Sequence, residues 1–191
     1  MLNLNNDVPD HTTISRRKAK LGKVPFYENK QKTPLHILID SSGLTVHVGQ
    51  LRKPPKSRDY RKLHLCVDEL TGDVVACDLT SKSARDSSRV PSLLKQIDSP
   101  ISSARADTAY DARGVYEALD NHLAHYSPRV LIPPRKDAQL ASTSATTRQR
   151  NRNIREQARL GKRKWHTESG YSKRSKVETT FYRYKIILGP A

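Results

Sequence analysis

Near its C-terminal end the chain carries four residues whose types and spacing suit phosphate chemistry, in the run Tyr171-Ser-Lys-Arg174-Ser-Lys-Val-Glu178-Thr-Thr-Phe-Tyr-Arg-Tyr-Lys185. Wound as a helix at roughly 100° per residue, Tyr171, Arg174, Glu178 and Lys185 fall within an arc of about 60°. One carboxylate between two cations has two readings. It is a hard oxygen ligand for a divalent ion, with cations beside it to hold phosphate. Alternatively it is a solvated Arg174–Glu178 pair at i,i+4, worth a few tenths of a kcal/mol. Other acids stand where strands stop. Asp40 ends the apolar run Leu35-His-Ile-Leu-Ile-Asp40, and Asp107 and Asp111 bracket Asp107-Thr-Ala-Tyr-Asp111 after Ile101–Ala106. Taken alone, Asp40 reads as a turn-former and Asp111 as the N-cap of the helix that follows it.

The elements that must position these residues follow from periodicity. Val177, Phe181, Tyr184 and Leu188 gather on an arc beside the polar stripe, wide enough to lay that helix on a sheet. Upstream, Leu35–Asp40 is a short strand, Ser41-Ser-Gly43 a turn, and Leu44–Val48 a second strand. Arg52–Lys62, with two prolines, is a cationic loop suited to phosphate contact. Leu63, Leu65 and Val67 alternate with polar neighbours as a half-buried strand, and Val74–Leu79 returns after a turn at Thr71-Gly-Asp73. These opening strands form an antiparallel meander. Ser88–Ile97 is a helix with Pro91 in its first turn. Then come a weak strand at Ile101–Ala106, a helix marked by Val115, Leu119 and Leu123 to about Tyr126, and a strand at Arg129–Ile132 closed by Pro133-Pro134. This succession predicts an α/β fold with a mixed sheet: three antiparallel strands, then alternating helix and strand, with flanking helices.

At 191 residues the chain has room for one such sheet and its helices. Lys and Arg total 35 against 19 Asp and Glu, a net +16, which points to a polyanion as partner. Two stretches hold much of the excess. Residues 1–33 form a basic arm in which Thr12 or Thr13 caps a short helix carrying Arg16, Arg17 and Lys18. A basic insert, about residues 137–168, sets Arg148, Arg150, Arg152, Arg155, Arg159, Lys162, Arg163 and Lys164 against the single acid Glu156 in its most charged part. It reads either as a mobile charged segment or as an electrostatic track for DNA, with Ile154, Ala158 and Leu160 hinting at helix. Trp165, the only tryptophan, either packs on the domain or stacks on a base. Cys66 and Cys77 lie in apolar runs and read as core residues of a reducing compartment. No apolar run is long enough to span a membrane, and the first residues lack the pattern of a secretory signal, so a cytoplasmic, nucleoid-associated protein is expected. There is no HExxH, no P-loop and no Gly-x-Gly-x-x-Gly, and the His122/His125 pair belongs on a helix surface.

The spacing Y-x2-R-x3-E-x6-K at Tyr171, Arg174, Glu178 and Lys185 matches at every position the signature of one group of bacterial insertion-sequence DDE transposases. Ile39-Asp40-Ser41-Ser42-Gly43-Leu44 resembles the first-aspartate motif of that group. Asp107-Thr-Ala-Tyr-Asp111 resembles its Asp-Gly-Ala-Tyr-Asp motif, with Thr108 in place of the glycine. The resemblance covers roughly residues 35–188 and implies a ribonuclease H-like catalytic domain over 34–191. It implies Asp40, Asp107 and Glu178 as catalytic metal ligands for two Mg²⁺ ions, with Mn²⁺ as an alternative. Asp40 would bridge the ions and the other two acids would serve one each. Arg174 and Lys185 would contact DNA phosphates, with Tyr171 on the backbone or packed on the sheet. Arg61, Lys62, Arg155 and Lys164 complete the expected DNA contacts. The implied reaction is nicking at the ends of the element, then transfer of the freed strand to double-stranded target DNA, in a monomer or a homo-oligomer. Relatives are expected to begin earlier and to run on past Lys185. A truncated DNA-binding remnant is therefore one alternative, and another ribonuclease H-like nuclease is the second.

Overall fold

Alternating apolar residues build a five-stranded sheet among the described residues of the computed structural model, which are 33–45, 60–122, 128–142 and 144–188. The strands are β1 (Leu35–Thr45), β2 (Tyr60–Asp68), β3 (Val74–Ser81), β4 (Ile101–Ala106) and β5 (Arg129–Leu131). They lie in the order β3-β2-β1-β4-β5. β1–β2 and β2–β3 pair antiparallel, while β1–β4 and β4–β5 pair parallel. The sheet is thus mixed, as expected, with Leu44 and Thr45 of the expected second strand continuing β1. The basic arm and most of the Arg52–Lys62 loop lie outside the described residues, as do the expected strand's residues 46–48 and the helix residues 123–126.

β1 departs from expectation. No turn occurs at Ser41–Gly43: the strand runs on to Thr45, with Ser41 opposite His64 and Gly43 opposite Lys62. Gly43 is there for a different reason than turning. A Cβ at this position would meet the Tyr60 ring at 3.3 Å, so the missing side chain lets the ring lie over the strand. Asp40 therefore stands inside a strand, opposite Leu65, and is no turn-former. β2 differs too. Expected to be half-buried, it is buried on both faces from Leu63 to Asp68, because helices cover both sides of the sheet.

On one face Ile37, Ile39, Cys66 and Ala104 pack under α1 (Val90–Leu94) and α2 (Arg113–Asp120), through Val90, Leu93, Val115 and Leu119. A 3₁₀ turn at Asp86–Arg89 leads into α1, whose Pro91 occupies the first turn. On the other face Leu38, Leu63, Leu65 and Val67 pack against Val177 and Phe181 of α5 (Lys176–Leu188), while Leu131 packs with Trp165 and Tyr171. Tyr184, expected on the packed stripe, is exposed, and the α5 residues that pack on the sheet, Val177 and Phe181, lie in its first turns.

The basic insert is ordered as α3 (Ala145–Leu160) and α4 (Lys162–Glu168). A reciprocal Ser144–Thr147 capping box starts α3. β5 is an edge strand, and Asn153 of α3, buried, donates from Nδ2 to the carbonyls of Val130 (3.0 Å) and Ile132 (3.3 Å) along that edge. Asn151 holds both backbone groups of Ala141 in the same way, at 3.0 and 2.8 Å. The Asn153 amide ties the charged helix to the sheet edge, and the Asn151 amide ties it to the loop that leads into it.

Candidate active site

Asp40 and Asp107 reach one place through strand register. Ile39 pairs with Ala106 across the parallel β1–β4 ladder, so the next residue on each strand is an aspartate. The two acids share the sheet face that α5 covers, since Leu38 and Arg105, two positions back on each strand, face that side. Asp107 Oδ1 also accepts the Ala109 N–H at 2.8 Å, capping a 3₁₀ turn at Thr108–Tyr110. In that right-handed turn a threonine sits without strain, so Thr108 needs none of glycine's freedom.

The helix expected to begin at Tyr171 is split. Gly170 adopts φ +74°, in the left-handed region, and turns the chain in from α4. Tyr171–Ser175 then winds as 3₁₀ before α5 begins at Lys176. In a 3₁₀ turn residues i and i+3 eclipse, which sets Tyr171 in line with Arg174. Tyr171 is buried against Trp165 and lies tilted against His166, with ring centroids 4.6 Å apart. Trp165 is fully buried, the packing alternative of its two readings.

Arg174 is the centre of the cluster. Its Nη1 donates to Asp40 Oδ2 at 2.7 Å and its Nη2 to Glu178 Oε1 at 2.8 Å. Burial alone would lower the guanidinium's pKa. The negative charge of Tyr171 when ionised, and that of Asp40, Glu178 and Asp107, outweighs burial and raises it. Burial in turn holds the Asp40 carboxyl above its ordinary value, against the Ser41 N–H and Arg174, while Asp107 adds to the rise. Burial likewise raises the Tyr171 phenol. Glu178 is the open member, its side chain 59% exposed where those of Asp40 and Arg174 are 15% and 18%.

A second ion-pair network holds the segment that carries Arg174. Glu69, buried just past β2, bonds to Arg105 of β4 and to Lys173 Nζ at 2.9 Å. Lys176 Nζ donates to the Glu69 carbonyl at 3.0 Å, and Arg105 Nε to that of Gly170 at 3.0 Å. Sequence reasoning passed over this network. Its only sequence signal was an arginine inside the strand Ile101–Ala106, where burial requires a partner. Asp111 is a further correction. The α2 N-cap is Ala112, without a side-chain cap, and Asp111 is instead buried and paired with Arg150 of α3 at 2.9 Å.

The remaining expected DNA contacts lie apart from the three acids. Arg61 and Arg155 are exposed on β2 and α3. Lys62 is engaged by Asp86 Oδ1 at 3.0 Å and the Ala84 carbonyl at 2.9 Å. Lys164 lies 3.6 Å from Glu168, and Lys185 is exposed on α5, about two turns beyond Glu178.

Among the described residues no three His, Cys, Asp or Glu side chains are grouped closely enough to cage a metal ion. What lies between Asp40 and Glu178 is the Arg174 guanidinium, a cation already held by one oxygen of each. The donors suit a hard divalent ion in kind, and the place where they meet already stabilises positive charge. No helix among the described residues is long and apolar enough to cross a membrane. A family model described as the transposase DDE domain matches residues 31–189. No solved structure matches the chain.

Proposed function

The chain belongs to the transposase DDE-domain family, and we propose that it cuts double-stranded DNA at the ends of an insertion sequence and joins the freed strand to target DNA. The observation that carries this reading is the meeting of Asp40 and Glu178, 138 positions apart, on the one guanidinium of Arg174, with Asp107 within electrostatic reach. Family membership brings a DNA substrate and divalent-metal chemistry. Mg²⁺ as the ion, with Mn²⁺ able to replace it, is our assignment. Asp40, Asp107 and Glu178 would hold it, and the bound ion supplies charge relief at the phosphate oxygens.

In the first step a water oxygen attacks the end phosphorus and the P–O3′ bond breaks, leaving a 3′-hydroxyl on the element. In the second, that hydroxyl attacks a target phosphorus, a new P–O3′ bond forms and the target's own 3′ oxygen leaves. The protein's part is positioning. Lys185 offers a point charge to a phosphate, and Arg174 a fork. Tyr171 supports Arg174 from the packed side. Arg61, Arg155 and Lys164 lie on exposed basic surface suited to the duplex backbone. Lys62, paired with Asp86, would have to exchange that partner for phosphate.

The test is Mg²⁺-dependent nicking of end-bearing duplex by the full chain and by Glu178→Gln. The amide keeps the shape and removes the charge, so cutting is expected to vanish while binding to unrelated duplex persists. Equal cutting by both proteins removes Glu178 from the site.

A further inference from the structure

Both ends of the Arg174 fork are occupied by candidate metal ligands. Nη1 bonds to Asp40 Oδ2 at 2.7 Å and Nη2 to Glu178 Oε1 at 2.8 Å. A divalent ion on these oxygens would meet the guanidinium at contact distance with like charge; each carboxylate keeps a second oxygen, and that of Asp40 already accepts the Ser41 N–H at 2.8 Å. The two cations therefore compete for the pair.

The main chain on either side of Arg174 is fixed. Lys173 is tied to the Glu69 carboxylate at 2.9 Å, Lys176 to the Glu69 carbonyl at 3.0 Å, and the Gly170 carbonyl to Arg105 at 3.0 Å. Only the side chain is left free to exchange partners. It has an open direction in which to swing, since Glu178, its outer partner, is 59% exposed while Asp40, its inner one, is 15% exposed. A fork released on that side faces solvent beside Glu178, whose face of α5 Lys185 shares two turns on.

We propose that Arg174 is an internal counter-ion which competes with divalent metal for Asp40 and Glu178 and, once displaced, becomes a phosphate ligand, so that metal and DNA each strengthen binding of the other. This rests on the metal-site reading given above. It adds an order to the site: metal-free acids hold Arg174 back from DNA, and the metal releases it. Phosphate that captures the fork uncovers the acids in turn, and linkage requires the two effects to be equal.

The inference has a sign that a structural role lacks. If Arg174 merely braces the acids, removing it loosens them and weakens metal binding. If it competes, removing it tightens binding. The test titrates Mn²⁺ into the full chain, follows free Mn²⁺ by electron paramagnetic resonance, and repeats the titration with a short duplex of arbitrary sequence present. Arg174→Ala is expected to bind Mn²⁺ at least about fivefold more tightly than the parent, the low end of ordinary coupling between sites. The duplex is expected to raise the parent's Mn²⁺ affinity by a similar factor and to leave that of Arg174→Ala unchanged. Arg174→Lys keeps the charge but cannot span both acids, so it falls between them, and it carries the comparison if the alanine variant does not fold. Unchanged or weaker Mn²⁺ binding by these variants overturns the proposal. A Glu178→Gln control separates the two ideas. If it loses Mn²⁺ while Arg174→Ala matches the parent, only the competition fails. If parent and Glu178→Gln bind Mn²⁺ alike, the metal-site reading fails and the competition falls with it.

Discussion

Removing the Arg150 side chain is expected to be among the most damaging single changes outside the apolar core. Asp111 has no solvent-exposed side-chain surface, whereas Arg150 is 19% exposed. The carboxylate receives Arg150 Nε at 2.9 Å and Nη2 at 3.2 Å, the Arg135 N–H at 3.1 Å and the Tyr116 hydroxyl at 3.3 Å. Arg150→Met leaves the last two in place and strips the countercharge. Breaking a buried pair from one side typically costs about 3–5 kcal/mol, and the surviving donors put this case near the low end, about 3 kcal/mol. For a chain of this size that is roughly 6–12 °C in melting temperature. Asp111→Asn is the milder change, about 1–2 kcal/mol, because the orphaned guanidinium can turn to water while an orphaned carboxylate at Asp111 cannot. The double variant removes both charges and is expected to recover about 1.5–2 kcal/mol relative to the sum of the singles. Urea denaturation of the four proteins measures all three quantities. An Arg150→Met cost below about 1 kcal/mol, or simple additivity, refutes the reading of Asp111 and Arg150 as a coupled buried pair.

Two further outcomes can be checked on the same footing. His64 is fully buried; burial lowers its pKa below the ordinary 6.5, against the pull of Asp86 and Asp78 and with a smaller push from Lys62 and Arg89. The unfolded chain therefore binds this proton more readily than the fold does, so stability should fall as pH drops below about 6.5. His64→Gln should flatten part of that slope; His166, which burial also lowers, adds to it, and Asp40, which burial raises, works against it at the acid end; an unchanged slope between pH 7 and 5 would show that His64 is not the group. Trp165 is fully buried beside Leu131 and Tyr171, and its Nε1 lacks a partner among the described residues. Trp165→Ala should cost about 3–5 kcal/mol in denaturant. Trp165→Phe should cost less than about 2 kcal/mol, since the orphan N–H goes with the lost volume; equal costs would mean the indole is held by a bond and not by packing.

Much of the element order could be read from the sequence because it rests on local periodicity. Leu35–Ile39, Leu63–Val67 and Arg129–Leu131 are strands wherever they pack, and Pro91 can open a helix but not continue one. The candidate acids come from spacing in the last helix and from resemblance. What stayed hidden depends on distant partners. Gly43 looks like a turn residue until the Tyr60 ring is known to lie over it. Asp111 looks like a helix cap until Arg150 arrives from 39 positions away. The 3₁₀ start of the last helical segment depends on Gly170 turning left-handed where Arg105 takes its carbonyl, which no window around Tyr171 contains.

The distribution of charge over the sheet explains how the last helix finds its place. The face under α1 and α2 is apolar wherever β1 and β4 cross it, at Ile37, Ile39, Ala104 and Ala106. The opposite face of the same strands carries Asp40, Ser103 and Arg105, and α5 offers it little grease, chiefly Val177 and Phe181. Apolar contact of that extent tolerates sliding and rotation, because it has no direction. Buried charges do not tolerate it, since each must meet its own partner or bear the full cost of desolvation. The buried Glu69, reached by the exposed Lys173 and Lys176, the buried Arg105 on the Gly170 carbonyl, and the partly buried Arg174 on Asp40 together set depth, rotation and register. Glu178 comes one turn after Arg174, so its position relative to Asp40 is set by these ion pairs before any substrate arrives. The buried Glu69 and the partly buried Asp40 thus draw Lys173, Lys176 and Arg174 to the sheet, and Arg174 alone among these cations is paired with acids of the proposed metal site.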